Sequence, residues 1–174
     1  MSHQSNFINK YSEDVIRATS GTELFPSVKM AQMILESGWG KSYNATKANN
    51  FFGIKKGIGW TGEVITLNTP NDANKKSVFR KYGSPLESIK DHTNFLYANP
   101  RYKKNGVFSA LTPEAQIKSI SASGYAESSY YTDTLLSLIK KYDLKKLDYK
   151  QKVNPFLNWY SPLVFFFFLS SLLS

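Results

Sequence analysis

Ala31-Gln32-Met33-Ile34-Leu35-Glu36-Ser37-Gly38-Trp39-Gly40 places a lone carboxylate at the end of an apolar helix and follows it at once with a glycine-flanked tryptophan. The glycines permit a sharp turn and a close approach to a ligand. The indole is positioned to desolvate the Glu36 carboxyl group, and the helix's negative C-terminal end acts in the same direction, so its pKa is expected to rise. A carboxylic acid kept protonated near neutral pH is what glycosidic-bond cleavage requires of its proton donor. The competing reading is an ordinary surface glutamate on a last helical turn, and the residues alone leave both open.

Working outward, Pro26 suits the first turn of this helix, and Val28, Ala31, Ile34 and Leu35 give it a buried stripe. Before it, Phe7, Ile8, Tyr11, Val15 and Ile16 recur at helical spacing and predict a first helix ending near Ser20-Gly21. After it, a short polar helix is expected over 41–47, then a packed loop at Asn49-Asn50-Phe51-Phe52-Gly53-Ile54-Lys55. Alternation over 60–67 and 77–82, with turn formers at 68–76, predicts one β-hairpin. Ser84-Pro85-Leu86-Glu87 carries helix-start chemistry, with Ser84 as N-cap and Glu87 three residues on. Further helices are expected from Thr112-Pro113-Glu114 to Gly124 and from Ser128 to Tyr142, the latter with Tyr131, Leu135, Leu138 and Ile139 inward. The fold class is therefore α+β, mainly helical, with a small hairpin lobe.

The 174 residues suffice for one domain, expected over 1–150, with a hydrophobic tail over 151–174 that is uncharged from Val153 onward. Absence of cysteine excludes disulfides and thiol nucleophiles, and His3 and His92 are the only imidazoles, so neither a metal nor a cofactor is expected. A net charge of +9 favours a polyanionic partner. Nucleic acid is not expected, because neither a helix-turn-helix nor a dense basic stripe with interleaved aromatics is present. The N-terminus lacks the basic and apolar regions of a signal peptide. The run Leu163-Val164-Phe165-Phe166-Phe167-Phe168-Leu169 makes the tail a candidate for membrane contact, although Asn154, Asn158 and two prolines dilute it. A monomer is expected.

Several separated motifs then agree in order and spacing: Ala31-Gln32 through Gly40, Asn49 through Lys55, Phe79-Arg80-Lys81-Tyr82 with Ser88 and Asp91-His92, Arg101-Tyr102, and Gly124-Tyr125-Ala126. From about Phe7 to Asp148 the chain resembles the bacterial glucosaminidases of glycoside hydrolase family 73. The resemblance implies a lysozyme-like fold with a glycan groove between the helices and the hairpin. It implies peptidoglycan glycan strands as substrate and hydrolysis of the β-1,4 bond after N-acetylglucosamine. Glu36 matches the family's catalytic acid. Tyr125 matches a site tyrosine, whose hydroxyl would hold the acetamido group or a water.

Trp39, Phe51 and Phe52 would shape the sugar-binding floor, with Asn50 beside them and Tyr130 free to face a ligand. A Phe-Phe pair also reads as core, and Phe52 is the likelier core member of the two. The second carboxylate is open between Glu63, on the first predicted strand, and Asp72, in the turn, with Asp72 the better match. Asp91 and His92 are expected to hold the hairpin to the helical lobe, and Arg80 to bind either a wall carboxylate or a structural partner. Alternatives on the same fold are a lytic transglycosylase or muramidase, and from another class a non-catalytic wall-binding protein. Action at the bacterial cell wall is expected, by an export route or as a phage lysin.

Overall fold

The computed structural model describes residues 2–69, 72–126 and 128–153, with 69, 72–75, 152 and 153 described in their backbone alone. Three helices open the chain: α1 (His3–Thr19), α2 (Pro26–Ser37) and α3 (Tyr43–Ala48). The hairpin follows as β1 (Val64–Thr69) and β2 (Asp72–Arg80), an antiparallel pair in which Val64 faces Arg80 and Thr69 faces Asp72. Five further helices complete the fold: α4 (Pro85–Ala98), α5 (Pro100–Lys104), α6 (Pro113–Ala122), α7 (Tyr131–Lys141) and α8 (Lys146–Val153).

Helix α2 is the axis of the helical lobe, packed against α1, α6, α7 and α8. The predicted apolar stripe is too narrow for this role. Every residue from Pro26 to Ile34 is buried, because neighbouring helices cover all sides. Polar groups carried inward on such a helix need partners. Gln32 Nε2 donates to the Tyr131 hydroxyl at 2.9 Å, and Lys29 Nζ meets His92 Nδ1 at 2.7 Å. The N-cap of α2, Phe25, offers no capping side chain, and Asp148 of α8 accepts from the Ser27 N–H at 2.8 Å instead. A carboxylate there also complements the positive end of the helix.

Ser84 caps α4 as expected: its Oγ accepts from Glu87 N–H, while Glu87 accepts from Gly83 N–H and from the Ser84 hydroxyl. The hairpin differs from expectation in extent. Residues 60–63 are not strand, since Trp60 Nε1 donates to the Glu63 carbonyl and closes a local loop. Pairing instead runs outward through the polar stretch, to Thr69 and from Asp72, because cross-strand bonding overrides weak strand propensity. Helices α5 and α8 are short, polar elements that periodicity does not reveal. Helix α8 runs to Val153, the last described residue, and Gln151 Nε2 donates to Thr19 O at 2.7 Å. The apolar tail beyond 153, with its candidate membrane contact, lies outside the described residues; among those described, no helix is long and apolar enough to cross a membrane.

Candidate active site

Helix α2 ends where three consecutive residues take left-handed backbone: Gly38 at φ 56°, Trp39 at 61° and Gly40 at 75°. Gly38 and Trp39 N–H groups return to the carbonyls of Leu35 and Ile34, and Ser37 Oγ accepts from Gly40 N–H at 2.8 Å. A Cβ on Gly40 would sit 2.9 Å from Phe7 Cε2, so this position takes only glycine without displacing the core. Trp39 tolerates a conformation that costs a non-glycine residue about 1–2 kcal/mol. The helix thus stops one residue after it brings Glu36 to the surface of a cavity.

That cavity, of about 470 Å³, lies between the helices and the base of the hairpin. Glu36 shares it with Phe52, Phe95, Tyr102 and Tyr125 on the helical side and with Ile54, Lys55 and Arg80 on the hairpin side; Arg101 closes one end. Burial among these groups raises the Glu36 pKa from 4.5 to about 7. Trp39 is not among them. Its indole packs edge-on against Phe7 and Tyr142 and, with Tyr130, lines a separate shallow groove along α7. The desolvation expected from the indole is supplied by the cavity itself.

The loop at 49–55 corrects two further expectations. Asn50 is 1% exposed, and its side chain accepts from Ile54 N–H while donating to the carbonyls of Ile54 and Arg80. It closes the loop onto β2 with both amide protons in use, and its burial withholds it from a sugar. Both members of the aromatic pair are buried in the core, Phe51 wedged edge-on against Tyr11 and near Phe7. Phe52 is the one that reaches the cavity, backed by His92, whose ring stacks on it at 3.9 Å and 4°.

Tyr125 faces Glu36 across the cavity, and burial, together with the nearby Tyr131 and Glu36, pushes its phenol well above the usual range. Its hydroxyl meets His92 Nε2 at 2.9 Å. His92 is therefore not a tie between hairpin and helices, as expected, but the middle of a buried chain running from Lys29 to Tyr125. Asp91 is that tie. It receives both Arg80 Nη1 contacts at 2.8 and 3.0 Å and the Tyr82 hydroxyl at 2.7 Å. Arg80 is thus structural. Arg101, by contrast, donates only to the Tyr102 hydroxyl and the Gly124 carbonyl, so its charge meets no carboxylate among the described residues. The quoted Arg101-Tyr102 pair was the available signal for this position.

Glu63 is not brought to the cavity. It lies beyond the hairpin base, 2.7 Å from Lys81 Nζ, and that pairing holds its carboxyl below the usual range. Asp72 opens β2 at the far end of the hairpin, and its side chain lies outside the described residues.

A family model described as glucosaminidase, mannosyl-glycoprotein endo-beta-N-acetylglucosaminidase, matches residues 12–144. The exo-glucosaminidase LytG of Bacillus subtilis is 34% identical over 142 residues, covering 77% of this chain and 49% of that protein. The catalytic domain of the autolysin Auto from Listeria monocytogenes superposes with TM-score 0.72 at 29% identity, over 85% of this chain and 89% of that one. The glycoside hydrolase domain of Salmonella typhimurium FlgJ does so with TM-score 0.69 at 28% identity, over 91% and 99%. The chain spans about half the length of full-length relatives such as LytG. The architecture, a small hairpin on a lysozyme-like helical lobe, is thus a shared one, and the chain belongs to the glucosaminidase family, glycoside hydrolase family 73.

Proposed function

We propose that this chain hydrolyses the β-1,4 bond after N-acetylglucosamine in peptidoglycan, with Glu36 as the general acid that protonates the leaving oxygen. The observation that carries this reading is a single carboxyl group, half-buried in the cavity that Tyr125 also lines, whose pKa burial raises from 4.5 to about 7. An acid poised near the working pH combines a high protonated fraction with a strong drive to transfer the proton. Phe95 and the edge of Phe52 offer apolar surface to pyranose rings, and Tyr125 a hydroxyl to the acetamido group. Family membership and the names of relatives, a peptidoglycan hydrolase and an autolysin among them, support the wall polymer as substrate.

Mass spectrometry of digested cell wall tests the bond. Reducing N-acetylglucosamine ends are expected; reducing N-acetylmuramic acid would establish a muramidase, anhydro-muramic ends a transglycosylase, and wall pull-down without released sugar a binding protein. The pH profile tests the acid. Turnover is expected to hold below neutrality and to fall about tenfold per unit above roughly pH 7, as Glu36 loses its proton. A profile that rises through that range would remove Glu36 as donor.

Arg101 and Lys55 give the cavity cationic groups without carboxylate partners among the described residues. They fit a glycan bearing carboxylates, as wall strands with stem peptides do. Arg101→Gln is expected to raise KM on wall fragments about tenfold, the scale of one charge-assisted hydrogen bond, and to leave neutral N-acetylglucosamine oligomers unaffected. Equal losses on both substrates would refute this assignment.

A further inference from the structure

Lys29 is 1% exposed and His92 is fully buried, yet neither meets a carboxylate among the described residues. A lysine buried for packing alone is costly. This one sits at the end of a chain of hydrogen bonds whose other end is Tyr125, on the cavity wall opposite Glu36. The chain has two possible polarities. An ammonium at Lys29 donates to Nδ1, places the imidazole proton on Nε2, and so makes Tyr125 accept from His92 and turn its own proton into the cavity. A neutral amine, being a far stronger base than imidazole, accepts from Nδ1–H; bare Nε2 then accepts the Tyr125 proton, and the phenol presents oxygen lone pairs to the cavity.

The surroundings favour the second polarity. Around Nζ lies the face of Phe52, 5.6 Å from the ring centre, and among the described residues it makes no hydrogen bond to an oxygen and no ion pair. The remaining amine N–H bonds can rest on the ring without a full charge. Burial draws Lys29 well below the ordinary lysine range and His92 well below the ordinary histidine range, the direction that favours the neutral form of each. The stack of Phe52 on His92 fixes the imidazole plane and prevents the ring from turning to another partner.

We propose that Lys29 and His92 are positioning residues that hold the imidazole as its Nδ1–H tautomer and thereby make Tyr125 a hydrogen-bond acceptor toward the substrate. Its partner is an N–H or O–H of an N-acetylated sugar or an attacking water. The protonated Glu36 and the accepting Tyr125 then present opposite hydrogen-bond character across one cavity, which suits a polar bond being split between them. The functional half of the proposal rests on the glucosaminidase reading above; the tautomer does not.

Nitrogen-15 NMR of the wild-type protein labelled at histidine reads the tautomer directly, with His3 as an exposed internal comparison. At neutral pH, His92 is expected to show a protonated Nδ1 and a bare Nε2, the reverse of the form that dominates in solution. A protonated Nε2 overturns the proposal whatever the enzyme does. Lys29→Met keeps the volume and removes the acceptor. It is expected to return His92 to the Nε2–H form and to lower kcat about tenfold, one hydrogen bond's worth, with KM little changed. In a Tyr125→Phe background the same substitution is expected to cost nothing further, which a packing defect would not obey. Multiplying losses, or wild-type kcat in a folded Lys29→Met protein, would refute the positioning role. The expected tautomer in a protein that releases no sugar would instead refute the glucosaminidase reading and leave the hydrogen-bond chain standing.

Discussion

Glu36→Gln is expected to lower turnover about 10²–10⁴-fold, the usual contribution of a positioned general acid, while making the folded protein more stable in alkaline solution. Both effects have one origin. The cavity that keeps the carboxyl protonated does so by disfavouring its ionised form, which raises the pKa from 4.5 to about 7. Between those two values the native protein holds a proton that the unfolded chain has already released. Stability therefore falls as pH rises through this window and levels off above it. A shift of that size corresponds to about 3 kcal/mol, which glutamine, having no charge to bury, does not lose. The variant should match wild type in stability below about pH 4 and exceed it by up to about 3 kcal/mol above roughly pH 8. Denaturant titrations at the two pH values, beside wall-digestion rates, check both effects. A variant that digests wall at the normal rate removes Glu36 from the mechanism, and a stability gap independent of pH removes the burial argument.

Glu36 was legible as a candidate from its place at a helix end before Gly-Trp-Gly, but that pattern alone fits a surface glutamate equally, and the resemblance of the separated motifs is what singled it out. Its neighbours were misassigned because a residue's type does not say which way a turn faces. Trp39 is carried away from the cavity by left-handed backbone at 38–40, which no hydrophobic pattern encodes. Phe51 and Phe52 are both core, yet only Phe52 also lines the cavity, for a similar reason: in an irregular loop adjacent side chains diverge, and Asn50 closes that loop on itself. Lys29 was hidden by the opposite effect. Its helix is buried on all faces, and the hydrophobic stripe used to read α2 assumes one solvated side. The larger helices were readable from their caps and periodicity. The short α5 and α8 were not, since tertiary contact holds them and their own sequence pattern does not.

Asp91→Ala is expected to be among the most damaging single substitutions outside the core, at about 3 kcal/mol, because Asp91 serves two groups at once. The base of β2 is fixed to the body by main-chain bonds, Arg80 N–H to Ile54 O and Tyr82 N–H to Ala48 O, but these tie it to the 48–56 segment and not to a long helix. Asp91 connects it to α4 by accepting from Arg80 and Tyr82 at 2.7–3.0 Å. The Arg80 and Asp91 side chains are only 17% and 19% exposed, so water compensates little when one partner is lost. Removing the carboxylate leaves a phenol hydroxyl unpaired and a guanidinium with no anion, only its long bond to the Lys56 carbonyl, in a half-dry site. Arg80 keeps its contact over the Trp60 ring, 4.6 Å from the centre, but that contact lies within the hairpin lobe and cannot replace the tie to α4. Hydrogen exchange should accordingly quicken in β1 and β2 before it does in α2, and activity should fall with it, since Arg80 and Ile54 form the hairpin side of the cavity. The Asp91→Ala, Arg80→Leu double variant separates pairing from mere truncation. With no buried charge left unpaired, it is expected to be less destabilised than the sum of the single variants by about 1–3 kcal/mol. Simple additivity would mean that the two side chains act independently and that the main-chain bonds alone seat the hairpin over Glu36.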